Sequence, residues 1–174
     1  ATAGPAVLTR ELDGAETLLR EHVGVRVRGF RAPGWNVSRA LYARLAARGY
    51  RYDSSLVPLP GSGLLAALPR LVPGWSGPSI LAGQRSWPTP PARPYPLDLE
   101  RPWAPANRPD LHGGLWEVPC GVASGVPIPL NATVSALLGD RLARLTEAVA
   151  SRSPAPLVFV FHGLDLVDWS TELH

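Results

Sequence analysis

Thirteen of the chain's 20 prolines fall in residues 58–114, and that crowding divides what the rest of the sequence can form. Proline fixes φ and removes a backbone donor, so neither a helix nor an interior strand runs through such a stretch. The segment also lacks a periodic apolar pattern. It is expected to be a long loop excursion over the surface, with regular structure left to its two flanks. At 174 residues, 45% apolar and 18% charged, the chain reads as one globular domain spanning 1–174.

The flanks carry clear punctuation. Thr9 is expected to cap a helix over 9–23, with Glu11 and Asp13 in its first turn, Gly24 as its stop, and Val7 or Leu8, Leu12, Ala15, Leu18 and Leu19 on its inner face. Residues 25–30 alternate Val and Arg before Gly29 and Phe30, a strand pattern. The unit then repeats. Ser38 should cap a helix to Arg48 with Leu41, Tyr42 and Leu45 inward, Gly49 should end it, and 50–55 should form the next strand. Past the prolines, 115–120 resumes strand character, 133–151 has helical periodicity with a weak point at Gly139, and 157–161 resembles a strand buried on both sides. Successive helix-to-strand units predict an α/β layer or barrel.

Composition narrows the function. The apolar runs are far shorter than the roughly 20 residues of a membrane-spanning helix, so no transmembrane segment is expected. All 17 basic residues are Arg and they are dispersed, with no basic stripe interleaved with aromatics, which argues against nucleic acid as a partner. Cys120 is the sole cysteine and is expected to be a buried, inert thiol. The first six residues hold neither Met nor a basic, apolar leader pattern, so a preceding segment is expected.

Three segments end expected strands in polar residues: Gly29-Phe30-Arg31-Ala32-Pro33-Gly34-Trp35, then Tyr50-Arg51-Tyr52-Asp53-Ser54-Ser55, and Phe159-Val160-Phe161-His162-Gly163. In α/β barrels the carboxyl ends of strands face one mouth, so Arg31, Asp53 and His162 are expected to meet there. A carboxylate beside an imidazole raises its pKa and fixes its tautomer, and an Arg can orient a second carboxylate. A buried Arg–Asp bridge and a polar strand cap fit the same residues, and spacing alone leaves both open. Asp165 and Asp168, with Glu117, could instead serve a metal-independent glycosidase. Asn131-Ala132-Thr133 suits a helix cap better than a glycosylation site. Trp75, Trp87, Tyr95 and Trp103 could stack on sugar faces, as in a non-catalytic carbohydrate-binding barrel, or pin the proline-rich segment to the body.

The order G-F-R-A-P-G-W, G-Y-R-Y-D-S-S, V-F-H resembles motifs of the NodB-like polysaccharide deacetylases, the family-four carbohydrate esterases. The resemblance implies a partial distorted (β/α) barrel lacking its N-terminal strands, and hydrolysis of N-acetyl groups from amino sugars of a carbohydrate substrate. It implies that Arg31 orients a catalytic-base Asp, that the backbone N–H near Gly34, beside Trp35, binds the oxyanion, that Asp53 pairs with His162, that Val160 lines the acetyl pocket, and that His162 protonates the departing amine. Ser54 stands where many members have Trp, and Gly34 where many have Tyr. The family's divalent metal, expected to be zinc, is held through T-F-D-D-G and H-x-x-x-H motifs, and neither occurs here: no two of the seven Asp are adjacent, and the four His form no i, i+4 pair. The missing N-terminal half of the domain is therefore the expected partner that supplies the ligands, and the 174 residues alone are expected to be inactive.

Overall fold

In the computed structural model the first helix, α1 (Pro5–Val23), begins four residues before the expected Thr9 cap. Gly4 takes the cap position and Pro5 the first turn, where its fixed φ suits the helix and its missing N–H is not needed. Glu11 and Asp13 therefore lie inside the helix. Asp13 and Glu16 pair with Arg48, the latter at 2.9 Å, while Thr9 Oγ1 accepts a 2.6 Å bond from Arg44. These contacts tie α1 to α2 (Arg39–Ala47). The inner face of α1 is narrower than its periodicity suggests: Leu12 is buried and Leu8 partly so, but Leu18 and Leu19 stay exposed. Gly24 ends the helix at φ 73°, as expected.

The structure describes residues 4–59, 82–84, 86–108, 110, 113–122, 130, 139–140, 144, 148, 152 and 157–161. By compactness the chain divides into residues 1–119 and 120–174.

In the first unit, α2 forms as its sequence dictates. Ser38 Oγ accepts from Leu41 N at 3.1 Å, and Leu41, Tyr42 and Leu45 are buried. The helix closes with Gly49 at φ 77°, where Gly49 N donates to Ala46 O and Tyr50 N to Leu45 O, both at 3.0 Å. That pair of bonds is a Schellman stop, and it turns the chain straight into the next strand. Four strands follow in sheet order β1-β2-β4-β3: β1 (Gly29–Phe30), β2 (Tyr52–Asp53), β3 (Tyr95–Pro96) and β4 (Trp116–Glu117). β1, β2 and β4 run parallel, with Phe30 beside Asp53 and Asp53 beside Glu117. Each is two residues long where about six were expected, because ladder pairing is confined to the point where the strands converge.

β3 overturns the expectation that 58–114 is all surface loop. It pairs antiparallel with β4, Leu97 N donates to Leu115 O at 2.9 Å, and Tyr95, Leu97 and Gln84 are buried. β3 sits at the edge of the sheet, the position that tolerates a strand proline such as Pro96. Its apolar residues join the core of Leu12, Val37, Leu41, Tyr42, Leu45, Tyr50, Leu56 and Leu115.

In residues 120–174, extended backbone links Gly121 N to Val158 O, Leu130 N to Gly121 O and Val160 N to Leu130 O at 2.8–3.0 Å. Cys120, Leu130 and Val160 are buried, whereas Phe159 and Phe161 are exposed. The 157–161 run is thus one-faced, contrary to the expectation of burial on both sides. Gly139, Asp140, Arg144 and Ala148 are helical, and Gly139 has φ 70°, which agrees with a weak point there. The expected inner face of that helix lies outside the described residues. Among the described residues, no helix is long and apolar enough to cross a membrane.

Candidate functional site

Three parallel strands deliver Phe30, Asp53 and Glu117 side by side at their carboxyl ends. Residues just beyond such ends line the crevice where open α/β sheets bind ligands. There the two expected motifs are stitched together. Arg31 donates from Nε to Ser54 O at 2.9 Å and from Nη2 to Ser54 Oγ at 2.7 Å, and Ala32 N donates to Ser55 Oγ at 2.8 Å.

The chain then makes a tight 3-10 turn, Pro33–Trp35, in which Gly34 (φ 61°) and Trp35 (φ 54°) are both left-handed. For a non-glycine residue that conformation costs roughly 1–2 kcal/mol. Trp35 is held in it from both sides: its N–H donates to Ala32 O at 3.0 Å and its carbonyl accepts from Gln84 Nε2 at 2.9 Å. Gly34 is exposed. A groove of about 460 Å³ runs beside the turn, lined by Leu12, Ala15, Leu19, Phe30, Arg31 and Pro33.

Beneath the turn the chemistry is sealed from water. Side chains alternate along β2, so Tyr52 is exposed while Asp53 is fully buried on the α2 side. Asp53 accepts from Tyr42 OH at 3.3 Å, Ser55 N at 3.0 Å and Ser55 Oγ at 2.9 Å. Its pKa is raised by burial, against the opposing pull of hydrogen bonds from Glu117, Ser55 and Tyr42. Glu117, also fully buried, accepts from Leu56 N through Oε1 at 2.9 Å, while Oε2 meets no N–H or O–H donor. Burial, then the charge of Asp53 and a hydrogen bond to it, push the Glu117 carboxyl well above the usual range. A proton kept on Glu117 and donated to Asp53 accounts for both the orphan oxygen and the two shifts. Burial and the same carboxyl groups push the Tyr42 phenol well above its ordinary value, and raise that of Tyr95.

The expected site residues separate accordingly. Arg31 and Asp53 reach adjacent strand ends, but Arg31 engages Ser54 and not Asp53, whose carboxylate faces the core and not the mouth. Trp35 is half-buried, with its indole N–H unpartnered. Val160 is buried in residues 120–174. His162, Asp165, Asp168 and Trp75 lie outside the described residues. Trp87 packs against Tyr42 and Trp103 with centroids at 6.4 and 5.3 Å, the Arg39 guanidinium lies 5.4 Å over Trp103, and Tyr95 OH donates to Pro102 O at 2.5 Å. Tyr95, Trp87 and Trp103 thus pin the proline-rich segment to the core, with Trp87 and Trp103 still partly exposed.

Two residues of the cluster are weakly signalled in sequence. Glu117 reads there only as a glycosidase candidate, although an acid between Trp116 and Val118 in an apolar strand is a signal of its own. Gln84 has no signal, yet it joins Trp35 O, Ser55 O and Val57 N in one network. Among the described residues no group of three or more His, Cys, Asp or Glu could hold a metal ion. No family model, curated protein or solved structure matches this chain.

Proposed function

We propose that these residues form the oxyanion-binding side of an amide hydrolase that removes N-acetyl or related N-acyl groups from amino sugars, in a partial (β/α) barrel of the NodB-like deacetylase type. The observation that carries this reading is the joining of R-A-P-G-W to D-S-S through Arg31–Ser54 and Ala32–Ser55. It sets the left-handed Gly34–Trp35 turn beside the strand ends, with Gly34 exposed.

In this reading Gly34 N–H stabilises the developing oxyanion, a contribution that such donors make in many acyl transfers. Arg31 spends Nε and Nη2 on Ser54, which fixes its plane and leaves Nη1 to orient a carboxylate. His162 donates a proton to the departing amine. Asp53, closed off and hydrogen-bonded to Ser55 and Tyr42, braces the strand end. The family's divalent metal, expected to be zinc, would activate water. It finds no ligand set among the described residues, and its ligands in this reading belong to polypeptide outside this sequence.

Acetate release from N-acetylglucosamine oligomers tests the proposal. The 174-residue chain should release none, with or without added zinc. The product of the complete reading frame should release acetate in a chelator-sensitive way, and Arg31→Ala should lower its kcat/KM by about 100-fold. Shortened sugars in place of acetate, or indifference to both Arg31→Ala and His162→Ala, would overturn it.

A further inference from the structure

Arg26, Arg28 and Arg51 line one groove of about 230 Å³ around Gly49, at the end of the sheet opposite the Arg31–Ser54 junction. β1 and β2 force two of them together: Arg28 O accepts from Arg51 N at 2.7 Å, one step before the registered pair Gly29 and Tyr52. Like charges abreast on neighbouring strands repel. Gly49, left-handed and without a Cβ, leaves the floor open; a Cβ there would lie 3.2 Å from Arg26 Nη2. Glu16 shares a neighbouring groove with Arg26, but it and Asp13 form their ion pairs with Arg48. Among the described residues, none of the three arginines has an ion pair. Three guanidinium groups around a side-chain-free floor, two of them held abreast at an electrostatic cost, match the forked donor geometry that recognises phosphate oxygens.

We infer that Arg26, Arg28 and Arg51 form a binding site for a phosphate-type oxyanion, separate from the proposed hydrolase site. The bound anion replaces the repulsion between Arg28 and Arg51 with shared charge-assisted hydrogen bonds. Occupancy therefore stabilises the β1–β2 junction and the Gly49 turn behind it.

Calorimetric titration of the 174-residue chain with inorganic phosphate, and in parallel with glucose 6-phosphate, tests this. Saturable binding is expected for wild type, weakened about tenfold by Arg28→Gln or Arg51→Gln. Equal affinity for the two titrants identifies free oxyanion as sufficient, and tighter binding of the sugar ester identifies a phosphate monoester as the fuller ligand. Arg10→Gln, which changes net charge equally but removes an arginine exposed on α1 beside Glu11, should bind as wild type does. A second readout is independent of affinity: phosphate should raise the wild-type Tm but not that of Arg28→Gln, and without phosphate Arg28→Gln should be no less stable than wild type. Absence of saturable binding to wild type, or equal weakening by Arg10→Gln, would refute the site.

Discussion

Buried abreast on β2 and β4, Asp53 and Glu117 cannot both be charged without a large desolvation and repulsion cost, so the folded chain holds a proton that the unfolded chain releases. Both folded values lie above the ordinary ones of 3.8 and 4.5. Below that range folded and unfolded chains bind the same protons, and the pair's contribution is fully present. Above it the native state holds more protons, so stability falls with rising pH until the folded value is passed. The slope should be about 1.4 kcal/mol per pH unit for each extra proton. Glu117→Gln keeps an acceptor for Leu56 N and offers Asp53 a permanent N–H donor. Urea unfolding from pH 5 upward should therefore show the variant's slope reduced by about one proton, and an unchanged slope would show that the proton lies elsewhere. At this scale the sequence marks Asp53 as special but not its partner, since Glu117 reaches it only through the β2–β4 register, 64 positions along the chain.

Helix signals are local, and they survive folding better than strand signals do. Ser38, Gly24 and Gly49 act within a few residues of themselves and do what their types predict. Alternation over 25–30 and 50–55 predicts longer strands than form, because it marks extended backbone, while pairing depends on neighbours far away in sequence. The proline-rich segment misleads for the converse reason: proline forbids interior ladders but not an edge, and nothing local announces that Tyr95, Leu97 and Gln84 will be buried. Gly83 in the Ala82–Gln84 turn shows how close that docking is, for a Cβ there would collide with the Val37 backbone. Gly83→Ala should therefore cost about 1–3 kcal/mol, read from chemical unfolding. Trp emission should shift to the red as Trp87 loosens. A variant as stable as wild type would mean that the turn does not dock.

Among the described residues the clustered core runs from Leu12 to Leu115, within residues 1–119. A fragment ending at Pro119 should accordingly unfold in a single cooperative thermal transition, with helical far-UV dichroism. A sloping melt without a transition would show that the core needs residues 120–174. One feature of that core governs how it meets solvent. With strands of two residues there is little ladder to protect the backbone, and the successive N–H groups of Ser55, Leu56 and Val57 are held by the side chains of Asp53, Glu117 and Gln84. Deuterium would enter there only as those carboxyl and amide groups let go. The exchange clock of these three amides is thus set by the release of side-chain acceptors, not by the fraying of a sheet.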